Sequence, residues 1–172
     1  MKKATEFYEL NKPYILNKLK YTNELFSIEL DSKKLAKLFD MYAGIDYILF
    51  NKKLNKLYGV AARVNFYWKT KGCLTIRYKR NTGACTEFSK RMASIKSDDS
   101  LYPNLTIQVD SSKDNKPEGG IILRTKDLYL YLDENITDIK NKYMKTCKEG
   151  NDYLAIPFHV INSEFNIKCR IF

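Results

Sequence analysis

The sequence predicts an α/β or α+β fold in a single domain, residues 1–172, with a helical N-terminal segment. Two observations support this prediction. Apolar residues recur at helical spacing near the N-terminus and after residue 83, whereas several short segments between and beyond these regions alternate polar with apolar residues, as strands do. The resulting order of helix, three strands, helix and further strands fits a layered fold, and the chain is long enough to bury a core.

Two helices are predicted in the first quarter of the chain. Apolar residues between positions 3 and 20 follow helical spacing, but Pro13 interrupts them. We therefore expect a helix that begins near Pro13, with Asn11 as its N-cap, or a helix that breaks there. A second helix over residues 33–42 is indicated by its apolar stripe and by Gly44, a residue type that commonly ends helices.

Three strands are predicted next, over residues 44–50, 57–66 and 73–79, with a polar hairpin run and a glycine-containing turn between them. Because strand side chains alternate, we expect Arg63 opposite Val64 and Arg77 opposite Ile76. A helix follows Gly83. Its apolar positions are Phe88, Met92 and Ile95, and its other sides carry Glu87, Lys90, Arg91 and Lys96. Later strands are expected over residues 105–110, 121–125, 153–158 and 166–171, with a helix over 138–148, while 127–132 fits either type.

The polar faces of these strands are the candidate site. If they coincide in one sheet, Asp46 lies beside Arg63, Arg77 and Gln108, a group that could hold a divalent cation and the phosphate it serves. A plainer alternative is that Asp46 accepts backbone hydrogen bonds where its strand begins. The arginines would then form salt bridges or lie on an ordinary solvent-exposed edge of the sheet.

Positive charge is concentrated in the middle of the chain. The formal net charge is +10, and residues 61–97 hold nine basic residues and one acidic residue, Glu87. Such a localised field attracts polyanions such as nucleic acid. A solvated face that serves only solubility is the alternative.

Other features narrow the class of protein. No apolar run approaches the roughly 20 residues that a membrane helix needs, and no signal peptide is visible. The four cysteines are scattered and accompany a single histidine, His159, so we predict neither a zinc site nor a disulfide framework. We expect a reduced, cytoplasmic protein in which the cysteines are buried and His159 is structural or on the surface.

The segment 43–49, which contains Asp46, and the strand 58–64, which contains Ala61 and Arg63, together resemble the PD-(D/E)XK nuclease-like superfamily. Its members carry an aspartate at one strand start and an acidic-x-Lys triplet in the next strand of an αβββαβ core. The resemblance extends over about residues 20–160, and the helices 33–42 and after Gly83, with the strand 153–158, have counterparts in it. It implies a restriction-endonuclease-like fold, a mixed central sheet flanked by helices, in a protein of phage or mobile-element type.

The same resemblance implies a Mg²⁺-dependent endodeoxyribonuclease, but two positions depart from the family pattern. Ala61 occupies the second acidic position and cannot bind a metal, and Arg63 occupies the lysine position, where it keeps the charge but is a poor base. An acidic or amide group from elsewhere would have to complete the site. The candidates for it are Glu24, Glu9, Gln108 and Glu87.

The predicted roles follow from this resemblance. Asp46 would bind Mg²⁺, Arg63 would contact the scissile phosphate, and Glu24 and Gln108 would complete the catalytic group. The residues expected to bind nucleic acid are Arg77, Lys79, Arg80, Lys90, Arg91, Lys69 and Lys71. We expect DNA as the partner, leave RNA and a homodimer open, and expect no membrane. Two alternatives remain, a catalytically inactive DNA-binding module of the same fold and a phage regulator that binds a host protein.

Overall fold

The computed structural model describes residues 2–19, 23–27, 44–97 and 101–172, so the predicted helix over residues 33–42 lies outside the described residues. The elements are, in chain order, α1 (Lys2–Lys18), β1 (Asn23–Ser27), β2 (Tyr47–Asn51), β3 (Lys56–Asn65), a 3₁₀ turn (Trp68–Thr70), β4 (Cys73–Lys79), α2 (Glu87–Lys96), β5 (Leu105–Ser111), β6 (Pro117–Arg124), α3 (Thr125–Glu134), α4 (Ile136–Tyr143), β7 (Met144–Thr146), β8 (Asp152–Pro157), α5 (Phe158–Ser163) and β9 (Cys169–Ile171). Within those ranges no helix combines the length and apolarity needed to cross a bilayer.

The central sheet is mixed and has six strands in the order β1-β2-β3-β5-β6-β9. Strands β3 and β5 are parallel, and every other neighbouring pair is antiparallel. Parallel neighbours need a crossover, and the chain between β3 and β5 contains α2. The fold is therefore mixed α/β, with a mixed central sheet flanked by helices.

Strand β4 forms with the predicted bounds but does not join this sheet. It belongs to a second, three-stranded antiparallel sheet in the order β4-β8-β7. The expectation that Arg63 and Arg77 share one sheet is therefore wrong. The helix predicted over residues 138–148 also ends early, at Tyr143, because Met144–Thr146 pairs with β8 in this second sheet.

Helix α1 corrects the prediction at Pro13, because it runs without a break through that residue. A proline inside a helix costs about 3 kcal/mol, whereas each large apolar side chain that is buried contributes roughly 1.5–3 kcal/mol. Phe7, Ile15 and Leu19 are all buried against the central sheet, so the free energy gained by burying them exceeds the cost of the proline. Asn11 is not an N-cap: its side-chain amide donates to the carbonyl oxygen of Phe7 at 2.9 Å, one turn earlier.

Two apolar clusters cover the two faces of the central sheet. On one face, Val60, Ile107 and Ile122 pack against α1. On the other, Ile121 and Leu123 of β6 pack with apolar residues of β4, β8 and helices α2, α3, α4 and α5. Alternation along β3 and β5 leaves a polar row on this second face, and that row faces β4. This junction between the two sheets holds the candidate site.

Candidate functional site

Asp46 is fixed at the start of β2. Gly44 precedes it with a φ of +62°, a conformation that favours glycine, and the Asp46 N–H then donates to the carbonyl oxygen of Val60 at 2.8 Å. One carboxylate oxygen, Oδ2, accepts the N–H of Ala62 at 2.7 Å. The predicted alternative, a carboxylate that accepts a backbone hydrogen bond at a strand start, is therefore present. Asp46 is only half-buried, however, and it also lines a cavity.

This cavity, which we call the arginine cavity, has a volume of about 210 Å³ and lies between β3, β4 and α2. Among the residues that the structure describes, the charged side chains that line it are Asp46, Glu87, Arg63, Arg77, Arg80, Lys90 and Arg91. Five are cationic and two are anionic, so the wall carries an excess of positive charge. A concave surface with one predominant sign of charge concentrates counter-ions of the opposite sign. The arginine cavity is suited to an anion.

Glu87 holds two of these arginines at the base of the cavity. It lies in the first turn of α2, after the N-cap Thr86, and its Oε2 accepts a hydrogen bond from Nη2 of Arg63. Its Oε1 lies 2.5 Å from Nη1 of Arg91, one turn along the same helix. The hydroxyl of Tyr129 donates to Glu87 Oε1 at 3.3 Å and accepts from Arg91 Nη1 at 2.8 Å. Both Glu87 oxygens are therefore engaged.

Glu87 and Arg91 both stay charged in spite of their burial. Burial alone would raise the pKa of Glu87, but Arg63, Arg91 and the Tyr129 hydroxyl together outweigh it and hold this pKa below its usual range. Burial likewise disfavours the cation of Arg91, yet Glu87 outweighs it and raises the Arg91 pKa. Burial raises the pKa of Tyr129, so its phenol stays protonated. Glu87 is thus a fixed counter-ion rather than a base.

Arg91 and Glu87 both differ from their predicted positions on the outer sides of α2. Arg91 is 7% exposed, and its guanidinium is bound by Glu87 and Tyr129. This burial contradicts the prediction that Arg91 lies on an outer side of the helix, although Arg91 does line the arginine cavity. The sequence does carry a signal for the pair, because Glu87 and Arg91 are four residues apart and such residues face each other on a helix. Nothing in the sequence identifies Tyr129 as their third partner.

Arg63 connects the two sheets. Its Nη1 donates to the carbonyl oxygen of Thr75 in β4 at 2.7 Å, while Nη2 binds Glu87. The side chain is 34% exposed. A guanidinium has five N–H donors, so these two contacts leave donors over for an anion in the cavity. Arg63 and Asp46 line the same cavity, as predicted.

Gln108 has a structural place that contradicts its predicted catalytic role. It is completely buried and lies outside the lining of the arginine cavity. Its Oε1 accepts the N–H and hydroxyl of Thr75 at 2.9 and 3.1 Å, and its Nε2 donates to the carbonyl oxygen of Cys73 at 2.5 Å. The amide is fully used in holding β4 against the central sheet.

The remaining predicted residues divide into two groups. Arg77, Arg80 and Lys90 line the arginine cavity. Those outside its lining are Lys69, Lys71, Lys79 and Glu9. Lys71 forms an ion pair with Glu118.

The two glutamates proposed to complete the site lie apart from it. Glu24 stands opposite Phe50 in the β1–β2 pair, with β2 between its strand and β3. Glu9 lies on α1, which packs on the other face of the sheet, and pairs with Lys12. Neither is brought to Asp46 by the described backbone.

The donor set does not fit the implied Mg²⁺. Among the described residues, no group of three or more His, Cys, Asp or Glu side chains is placed to hold a metal ion. Of the two carboxylates at the cavity, Glu87 is held by two arginines, and the position expected to be acidic is Ala61. Mg²⁺ is bound through carboxylate and other oxygen ligands in near-octahedral geometry, which Asp46 does not supply by itself. His159 is exposed, as expected. The four cysteines are free, and none is buried as predicted, since Cys73, Cys147 and Cys169 are half-buried and Cys85 is exposed.

A second cavity of about 720 Å³ adjoins the first and shares Arg63, Thr75 and Arg77 with it. Two tyrosines, Tyr67 and Tyr153, line it, so we call it the tyrosine cavity. The sequence analysis did not single out either residue. Tyr67 follows β3 and Tyr153 lies in β8, and only the pairing of β4 with β8 brings the two segments together.

No family model, curated protein or solved structure matches this chain. The resemblance based on Asp46 therefore stays a prediction.

Proposed function

We propose that this chain binds nucleic acid, with DNA as the first candidate, and that the arginine cavity holds a backbone phosphate. The observation that carries the proposal is the cavity wall, in which five cationic side chains face two carboxylates. One of those carboxylates, Glu87, is already engaged by Arg63 and Arg91. Among the described residues, the wall of this cavity carries three more positive than negative charges, and phosphate is the anion that a DNA backbone presents.

Size and preorganisation support a phosphate as the occupant. The volume of about 210 Å³ is below the roughly 300 Å³ at which pockets for drug-sized ligands begin. It suits a compact anion better than a whole nucleotide. Arg63 is held on both sides, by the Thr75 carbonyl oxygen and by Glu87, so little side-chain entropy is lost when it binds.

Chain topology supports a nuclease-like framework for this binding. Among the described elements, β2, β3, α2 and β5 follow one another as two strands, a helix and a strand once β4, which belongs to the second sheet, is set aside, and the predicted helix over residues 33–42 would precede them. Asp46 precedes β2, and Ala61 and Arg63 lie in β3, the strand paired with it. The proposed fold is therefore restriction-endonuclease-like, with a phosphate-binding arginine at the lysine position.

Binding is tested by fluorescence anisotropy of labelled DNA over a range of salt concentrations. Wild-type protein should bind with an affinity that falls steeply as salt rises, because each phosphate contact releases counter-ions. Arg77→Ala should lower the slope of log affinity against log salt by about 0.9 for duplex DNA, the loss of one phosphate contact. Lys53→Ala is the matched control, since Lys53 is exposed in the β2–β3 turn and lines neither cavity. The proposal would be contradicted, and a protein partner favoured instead, if the DNA affinity did not change with salt concentration or if Arg77→Ala and Lys53→Ala changed the slope equally.

A metal-dependent endonuclease is the second candidate. It is favoured by one observation, the half-buried Asp46 on the wall that Arg63 also lines. It is opposed by the other carboxylate that the described residues place there, because Glu87 is held by two arginines. Plasmid, single-stranded DNA and RNA incubated with Mg²⁺, Mn²⁺ or EDTA test it. Asp46→Asn is the control variant, because an amide oxygen can still accept the Ala62 N–H. Cleavage that requires metal and Asp46 would establish catalysis; its absence would leave a binding module.

A further inference from the structure

The tyrosine cavity differs in chemistry from the arginine cavity beside it. Its volume of about 720 Å³ lies within the roughly 300–1,000 Å³ of small-molecule pockets. Apart from the shared Arg63 and Arg77, its charged lining residues are Lys148, Glu149 and Asp152, one basic and two acidic. This part of the wall has no cationic excess and does not favour a phosphate. It suits an uncharged group attached to whatever the arginine cavity binds.

Two aromatic rings line this wall. Tyr67 is 53% exposed, and Tyr153 is half-buried in β8, where it stands opposite Arg77 of β4. Both side chains line the tyrosine cavity together with Arg77. An exposed ring beside a second ring and an arginine forms a surface on which a planar ligand stacks.

The backbone that carries Tyr67 is held rigidly from below. The Tyr67 N–H donates to Oδ1 of Asn65 at 3.0 Å, and the Tyr67 carbonyl oxygen accepts the N–H of Thr70 at 3.1 Å. Asn65 in turn donates to Asp110 at 2.9 Å, and Asp110 accepts the N–H of Gly72 at 2.7 Å. Asn65, Thr70 and Asp110 are buried, so this network fixes the turn without using the tyrosine ring. Because the backbone that carries the ring is already ordered, only the side-chain entropy of Tyr67 is lost when the ring binds.

We propose that the tyrosine cavity takes an unstacked base of single-stranded DNA whose phosphate occupies the arginine cavity. This inference rests on the proposed function and adds a substrate class to it. The two cavities share the lining residues Arg63, Thr75 and Arg77 and therefore lie side by side, so that a phosphate in one places the adjacent base next to the other. In a duplex the bases are stacked and paired, and one enters only if unstacking energy is supplied. The protein therefore prefers single strands.

Anisotropy with a labelled oligo-dT and with a labelled duplex of equal length, at one fixed salt concentration, tests the inference. Wild-type protein should bind the single strand more tightly. Tyr67→Ala should weaken single-strand binding by about 5- to 140-fold, the effect of losing one stacked base, and should leave duplex binding unchanged. Tyr67→Phe keeps the ring and should keep the affinity. Phe66→Ala is the matched control, because Phe66 is a neighbouring exposed ring that does not line the tyrosine cavity.

The outcomes separate the inference from the proposed function. If the duplex binds as tightly as the single strand, or if Tyr67→Ala matches Phe66→Ala on the single strand, the base site is refuted while phosphate binding stands. If neither polymer binds, the proposed function fails and the inference fails with it. Tyr67 is exposed and its ring makes none of the bonds that hold the turn, so we expect Tyr67→Ala to fold, and circular dichroism verifies this.

Discussion

Glu87→Gln is the substitution for which the structure gives the clearest energetic prediction. The change leaves the guanidinium of Arg91, whose side chain is 8% exposed, without its carboxylate, while the Tyr129 hydroxyl remains as a partner. Removing one partner of a buried ion pair costs about 3–5 kcal/mol. We take the lower end, about 3 kcal/mol, because the other partner, Arg63, is 34% exposed and gains solvation when released. For a chain of this size such a loss lowers the melting temperature by about 6–12 °C.

The assay is urea unfolding followed by far-UV circular dichroism, with Glu118→Gln as the matched control. Glu118 also forms an ion pair, with Lys71, but the two side chains are 45% and 38% exposed. An exposed pair is worth about 0–1 kcal/mol, so the control should remain close to wild type. If Glu87→Gln costs no more than Glu118→Gln, the charged cluster beneath the arginine cavity does not carry the stability assigned to it, and the reasoning is refuted.

Two further predictions concern the junction and its response to pH. Gln108→Leu leaves the buried N–H of Thr75 and carbonyl oxygen of Cys73 without their partner, which costs about 1–3 kcal/mol for each group, so urea unfolding should show a loss of stability of that order. DNA binding should also weaken, because β4 carries Arg77. Unchanged stability would mean that Gln108 does not hold β4 against the central sheet. The pKa of Glu87 is lowered in the folded state, so its contribution is fully present above its unfolded pKa of about 4.5 and is lost as pH falls through the folded value. The stability difference between wild type and Glu87→Gln, measured from pH 7 to pH 3, should therefore shrink below about pH 4.5; a difference that grows towards low pH would contradict the assigned direction.

Local patterns predicted the elements well, because they depend on residues close together in the chain. The alternation of β3 correctly placed Arg63 opposite Val64, and the structure shows Val64 on the face towards α1 and Arg63 on the face with the arginine cavity. The apolar stripe of α2, with Phe88 and Met92, is buried as predicted. Strand β4 has the predicted bounds. In each case one face of one element carries the signal.

The site was less predictable, because it depends on contacts between distant segments. That β4 leaves the central sheet follows from its pairing with β8, more than 70 residues later, and no local pattern encodes that pairing. Gln108 looks like a polar strand residue available for chemistry, yet it becomes buried because β4 offers its amide two backbone partners. An arginine is usually exposed, but the bonds that Arg91 forms with Glu87 and Tyr129 offset the cost of burying its charge. Pro13 suggested that a helix ends or breaks there, but the burial of apolar side chains on both sides of it stabilises a continuous helix.

The central claim is that a nucleic-acid phosphate occupies the arginine cavity. Its most direct test is NMR spectroscopy, in which the backbone amide chemical shifts are followed while a short single-stranded oligonucleotide is added. The account predicts the largest changes at residues 61–63 of β3 and 75–77 of β4, which line the cavity, and small changes on α1, which covers the opposite face of the central sheet. Changes concentrated on α1, or none at β3 and β4 at saturating oligonucleotide, would contradict it.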